Sequence, residues 1–201
     1  MSKQIWKAGT MVYPVPAVMV SCGDFDGEKN ILTIAWTGTI NTNPAMTYIS
    51  VRPERYSYDI IKKSGEFVIN LTTEELAFAT DFCGVRSGRN VDKFKKLNLT
   101  PERASVVKCP VISESPINIE CKVKDVVKLG SHDMFIAEVV SVLADEKYMD
   151  SSGRFNFEKS KPLCYSHGEY YGLGKYLGKF GYSVRKNKKN KKWCFTYLTF
   201  V

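Results

Sequence analysis

Apolar and polar positions fall in short runs along most of this chain, and few of those runs last long enough for an extended helix. Residues 17–22, AVMVSC, form an apolar segment rich in strand formers, and the GDFDGEKN that follows has the chemistry of a hairpin turn. Residues 30–40, NILTIAWTGTI, mix β-branched with small polar side chains and read as one strand. It would pair across residues 41–44, NTNP, with a second strand at residues 46–52, MTYISVR. SYDIIKKSG predicts a short helix that starts at a Ser57 cap and ends at Gly65, and EFVINL, residues 66–71, reads as a strand.

Thr72 or Thr73, followed by Glu74 and Glu75, marks the start of a second helix reaching about Phe82. A Gly-, Ser- and Arg-rich loop, residues 84–90, leads to a third helical candidate, VDKFKKLN. From Ile117 to Lys124 apolar and polar residues alternate with period two, the mark of a strand wet on one face. Across a turn at residues 130–133, MFIAEVVSVLA supplies a more buried antiparallel partner, and LCYS around Cys164 reads as a last strand. Six or so strands with short helices predict a mainly β, antiparallel sheet closed into a barrel. The long crossover helices of a parallel βαβ fold are missing.

Composition fits one ordinary globular unit. With 201 residues, 44% hydrophobic and 12% aromatic, the chain has enough apolar surface to offset the entropy of ordering. No apolar stretch approaches the roughly 20 residues of a membrane-spanning helix. The opening MSKQIWKAGT has no apolar centre of a secretory signal, so a cytoplasmic location is expected. The net charge of +8 owes six units to Arg185, Lys186, Lys188, Lys189, Lys191 and Lys192, leaving a nearly neutral body. That run reads as a solvated tail, with binding of nucleic acid or an acidic partner as the other reading. The uncharged WCFTYLTFV after it fits a strand, a dimer contact or an extension.

The six cysteines form no CxxC pair, which leaves zinc-ribbon, iron–sulfur and thioredoxin-like chemistry without its spacing. Cys83, in FCGVRSGRN beside two arginines, is placed in a loop where positive charge would lower a thiol's pKa. His132 and His167 are the two histidines of the chain, too few to found a metal site, and none is expected. No GxSxG elbow is present, and GLGKYLG at residues 172–178 matches neither a Rossmann turn nor a Walker loop.

Four segments in order carry a resemblance. NILTIAWTGTINTNPAMTYISVRPERYSYDII (residues 30–61), GEFVINLT (65–72), CGVRSGRNVDKF (83–94) and SHDMFIAEV (131–139) resemble the flavin reductase-like family. The family's FMN-binding split β-barrel includes flavoredoxins and NAD(P)H:flavin oxidoreductases. The likeness covers about residues 10–185, giving a split-barrel domain at residues 1–184 and a basic, then apolar, extension at 185–201. It implies a homodimer with FMN near the interface. Ala35, Trp36 and Thr37 would let backbone amides approach the flavin, with Trp36 packing nearby. Ser50, Val51 and Arg52, with Arg55 and Ser57 at a helix start, suit phosphate oxygens. Ser87, Gly88, Arg89 and Lys93, with Asp92 behind, match the family's segment near the cofactor. His132 is the candidate for contact with the flavin or an incoming nicotinamide.

The function expected from this resemblance is electron transfer from NADH or NADPH through bound FMN to free flavin, ferric iron or a redox protein. The cofactor carries the chemistry and the protein orients it, so the lack of a catalytic triad is no objection. Two rivals are a flavoredoxin-like carrier without direct NAD(P)H oxidation and a nucleic-acid-binding module led by the basic tail.

Overall fold

The computed structural model describes residues 2–185. The rest of the basic run after Arg185, the WCFTYLTFV segment and Cys194 lie outside the described residues. The chain runs β1 (Val15–Pro16), β2 (Val18–Gly23), β3 (Lys29–Ile34), β4 (Thr37–Thr42), β5 (Ala45–Val51), α1 (Tyr56–Ser64) and β6 (Glu66–Leu71). It continues through α2 (Ala77–Val85), α3 (Lys93–Leu97), β7 (Pro101–Arg103), β8 (Pro110–Ile112), β9 (Ile117–Lys128) and β10 (Asp133–Ala144). It then passes α4 (Phe157–Ser160), β11 (Leu163–Ser166) and β12 (Glu169–Gly172). The mainly β, antiparallel expectation is met, with more strands than the hydrophobic pattern resolves and with β9 running on past Lys124 to Lys128.

Seven strands form the main sheet in the order β3-β2-β6-β9-β10-β5-β4. Its two edges, β3 and β4, are consecutive in sequence and joined only by Ala35 and Trp36, so the sheet must curl until its edges meet there. The result is a barrel split along one seam. The strand expected at residues 30–40 is therefore two strands on opposite edges: the first pairs with β2, Val18 opposite Ile34, and the second with β5, Thr37 opposite Ile49. Hydropathy could not show the break, because Ala35 and Trp36 continue the apolar run across it.

Inside the curl pack Val20, Leu32, Ile49, Ile61, Phe67, Ile69 and Phe135. Phe67 and Phe135 are fully buried; removing each from water stabilises the fold by roughly 1.5–3 kcal/mol. A polar knot sits among the strands. Asn70 donates to Met19 O and Ser21 Oγ, both at 2.9 Å, and accepts from Ile112 N at 3.0 Å and Asn118 Nδ2 at 2.8 Å, so no group of its amide is left unpaired. Glu120 is buried yet ionised: Ser105 N and Oγ, Val106 N and Val107 N all donate to it at 2.6–3.0 Å. Burial works to raise its pKa, but these donors outweigh it and hold the carboxyl below the usual carboxylate range.

Two helix starts differ from expectation. Arg55, not Ser57, is the N-cap of α1, and Ser57 is buried in the first turn, two residues on. Thr73 precedes a 3-10 turn at Glu74–Leu76 without capping it through its side chain, and α2 follows. The Thr72 hydroxyl instead donates to the carbonyl of Ala17, the residue between β1 and β2. α2 runs on through Cys83 to Val85, which places Cys83 in a buried helical turn and not in a loop. Among the described residues no helix is long and apolar enough to cross a membrane.

A smaller sheet, β1-β11-β12, lies beside the seam. Its hairpin turns at His167 and Gly168, both at positive φ (51° and 97°), as a two-residue turn between twisted strands requires. That turn sets Tyr165 directly opposite Tyr170.

Candidate cofactor cleft at the barrel seam

Where the sheet edges meet, a long cleft opens between the barrel and α2. It has two lobes of about 390 Å³ each. Leu32, Thr33, Arg52, Arg55 and Gly84 line both, so the lobes are continuous.

One lobe is basic. Arg52 comes just after β5, Arg55 opens α1, Arg86 and Arg89 follow α2, and Lys93 begins α3; Glu54 is the carboxylate among them. Local bonds fix several of these. Arg55 donates to Gly84 O at 3.1 Å, and Arg89 donates to Glu54 O at 3.1 Å while lying over the Tyr56 ring at 5.3 Å. Lys93 is 3% exposed. Its ammonium donates to Ile31 O at 2.5 Å and Cys83 O at 2.9 Å and has no ion-pair partner among the described residues. Burial pulls its pKa down. A buried cation held by carbonyls alone is costly unless an anion comes to it.

The hydroxyl of Ser57 accepts from Asn30 Nδ2 at 2.8 Å on the floor of this lobe. Gly88 packs hard against the same asparagine: a Cβ there would stand 2.3 Å from Asn30 Oδ1 and 2.7 Å from the Tyr56 ring. Asp92, expected behind the cofactor segment, is the N-cap of α3 and accepts from Lys95 N at 3.1 Å.

The other lobe is aromatic and more apolar. Ala35, Trp36, Ser50, Val51 and His132 line it from the barrel, Val85 and Asp81 from α2, and Tyr13, Tyr165 and Tyr170 from the small sheet and the chain leading into it. Trp36 is pinned by its carbonyl, which accepts from Ser50 N at 3.0 Å. The rings of Trp36 and His132 have centroids 4.5 Å apart at 45°. His132 sits in the tight β9–β10 turn, closed by Leu129 N donating to the His132 carbonyl at 3.1 Å, with Ser131 Oγ 2.9 Å from Nδ1. Burial, then the charges of Arg52 and Arg55 against a smaller opposing pull from Glu54, hold its pKa below the ordinary histidine value.

Of the residues expected at the site, Ala35, Trp36, Ser50, Val51, Arg52, Arg55, Ser57, Ser87, Gly88, Arg89, Lys93 and His132 all line the cleft. Thr37 does not. Its hydroxyl donates to Tyr48 O at 2.6 Å and serves the β4–β5 pairing. Residues outside the expected set include Asn30, Thr33, Asp81, Arg86 and the tyrosines Tyr13, Tyr165 and Tyr170. Arg86 stood in a segment already marked by its arginines; the tyrosines carry no local signal, because only the fold of the small sheet brings them to the barrel. The thiol of Cys83, read from sequence as a candidate for activation, is pushed up to about 11 by burial, which Lys93 only partly offsets.

A family model for the Flavin reductase like domain matches residues 10–174. The flavoredoxin of Desulfovibrio vulgaris (Miyazaki F) is similar at 31% identity and TM-score 0.85, with 92% of this chain and 100% of that one covered. Flavoredoxin from Methanosarcina acetivorans is similar at 25% identity and TM-score 0.81, with the same coverage. An FMN-binding protein from Thermus thermophilus shares the fold at 20% identity and TM-score 0.74, over 89% of this chain and 99% of that one. The antiparallel split barrel, its seam cleft and the family match over most of the chain lead to one conclusion: this protein belongs to the flavin reductase-like domain family.

Proposed function

We propose that the protein is an FMN-binding oxidoreductase that takes electrons from NADH or NADPH and passes them to free flavin, ferric iron or a redox protein. The observation that carries this reading is the joining of the two lobes, a cation-rich pocket with buried, uncompensated Lys93 running into an aromatic slot. That polarity fits a molecule with a dianionic phosphate at one end and a flat ring at the other. Arg52, Arg55, Arg89 and Lys93 would neutralise the phosphate, with Ser57, Ser87 and the backbone at Gly88 accommodating its oxygens. Ala35, Trp36, Ser50 and Val51 would flank the ring.

When bound, FMN supplies hydride acceptance and the release of electrons one or two at a time. The protein's part is to orient and desolvate: Trp36 and His132 border the open ring lobe, and His132, held neutral, would face an incoming dihydronicotinamide without protonating it. We place the flavin-binding unit at residues 1–184 and expect a homodimer with the cleft near its interface. A reducing, cytoplasmic setting is in keeping with five free thiols among the described residues. The likeness to flavoredoxins favours a second reading, a carrier fed by another protein. The nucleic-acid reading rests on a basic run that lies almost wholly outside the described residues.

Comparing FMN with riboflavin tests the polarity of the cleft. Fluorescence titration should show FMN binding at least about tenfold tighter, the worth of one charge-assisted contact. Equal affinities would remove the phosphate lobe from the proposal. Sedimentation of the protein should give a dimer.

A further inference from the structure

The residue after His132 opens β10 and is buried: Asp133 is 5% exposed and accepts from the Tyr58 hydroxyl at 2.6 Å. Side chains alternate along an extended chain, so His132 turns to the cleft while Asp133 and Phe135 turn into the barrel. Tyr58 meets both there, Asp133 through its hydroxyl and Phe135 edge to face, with ring centroids 5.4 Å apart at 75°. The bond to Asp133 raises the Tyr58 pKa, which keeps the phenol a donor. No cation pairs with Asp133 among the described residues.

This bond joins two parts of the cleft that are far apart in sequence. Tyr58 stands in the first turn of α1, beside Ser57 and close to Arg55, which line the basic lobe. Asp133 adjoins His132 of the ring lobe and lies opposite Val51 of β5. On the other side of His132, residues 128–131 are exposed, and a Cβ at Gly130 would meet nothing within 4 Å. Asp133 is therefore the buried anchor next to His132. Replacing both partners of a buried hydrogen bond with apolar groups can be nearly neutral for stability, whereas the bond sets a direction that apolar contact does not.

We propose that Tyr58 and Asp133 are positioning residues: their hydrogen bond fixes the His132 imidazole against Trp36 by anchoring it to α1, the helix whose first turn carries Arg55 and Ser57. One helical turn then locates both ends of the cleft. The functional meaning rests on the reading of the cleft as an FMN site with His132 at its mouth.

The test has two readouts. The first is NMR of the full chain without flavin. The ring current of the Trp36 indole displaces the imidazole C–H resonances of His132, and Tyr58→Phe should return them most of the way to free-histidine positions while His167 keeps its shifts. Asp133→Asn, which still offers an oxygen to Tyr58, should keep the displacement, and Asp133→Ala should lose it. If Asp133→Ala does not fold, Tyr58→Phe, which removes a single oxygen atom, decides. The second readout is stopped-flow reduction of the FMN-loaded protein. Tyr58→Phe should slow it on the order of tenfold with FMN affinity within about twofold of wild type, and the same change in a His132→Ala background should alter the rate by less than about twofold. Wild-type His132 resonances in Tyr58→Phe, or equal slowing with and without His132, overturns the proposal. The two ideas fail separately. Absent flavin binding, or a wild-type rate in His132→Ala, counts against the cofactor reading, and the flavin-free resonances then decide the positioning alone.

Discussion

The indole of Trp36 and the imidazole of His132 face each other at 4.5 Å, one from the two-residue link between the barrel's edges and the other from the turn between its longest strands. The seam of the sheet thus places an aromatic pair at the mouth of the ring lobe. If His132 meets the incoming electron donor, His132→Ala should slow flavin reduction on the order of tenfold or more with little change in melting temperature. Stopped-flow reduction of the FMN-loaded protein measures this, and a wild-type rate would rule the role out.

The same ring should titrate low. Partial burial, then the charge of Arg52, holds the His132 pKa below the ordinary value of about 6.5. In the unfolded chain the proton is taken up earlier on the way down, so between the two values the unfolded state binds more protons. This group's contribution to stability is therefore present above about 6.5 and fades as the pH drops through the folded value. With two histidines in the chain, NMR can follow both. Arg52→Ala should move the His132 midpoint upward.

Phosphate binding should depend on Arg55 more than folding does. Arg55 is exposed and its guanidinium bonds Gly84 O, so Arg55→Ala should weaken FMN binding roughly 10- to 100-fold while changing stability little. Lys93→Met should weaken FMN binding too, but it also strips Ile31 O and Cys83 O of their donor and should lower stability. Flavin-fluorescence titration alongside thermal melts separates the two effects.

Much of this candidate site is legible in the sequence. The arginines, serines and glycine of residues 50–57 and 87–93 fall in the cleft because short turns after β5 and α2 carry them there, and such turns leave a local signature. What the pattern could not show was geometry made by distant pairing. The break at Ala35 and Trp36 is invisible to hydropathy, Thr37 belongs to a hairpin instead of the cleft, and Tyr13 meets Tyr165 only because β1 pairs with β11. Cys83 differs from expectation for a related reason: its glycine and arginine neighbours have the chemistry of a loop, while α2 continues past Gly84 to Val85.

Glu120 should act as an internal clasp. Glu120→Ala would leave the amides of Ser105, Val106 and Val107 without their acceptor, costing on the order of 3 kcal/mol and lowering the melting temperature by roughly 6–12 °C. Because its folded pKa is depressed below 4.5, the stability it confers is complete above that value and is lost as the pH falls through the folded pKa. Acid melts of wild type and variant should converge in that range.

The buried thiols should be inert. Burial pushes Cys22 and Cys121 up to about 12 and Cys83 to about 11, and raises Cys109 further. Alkylation of the native protein followed by mass spectrometry should leave these four unmodified, while unfolding exposes them all. Ready modification of Cys83 in the folded state would contradict its burial.

The most direct measurement is the absorption spectrum of the protein after incubation with FMN and gel filtration, recorded without oxygen before and after NADH and then NADPH. Retained flavin bands that bleach with one of the donors are the expected result. Bands that persist would point to the carrier reading, and a protein that leaves the column with no flavin would contradict the assignment of the seam cleft to FMN.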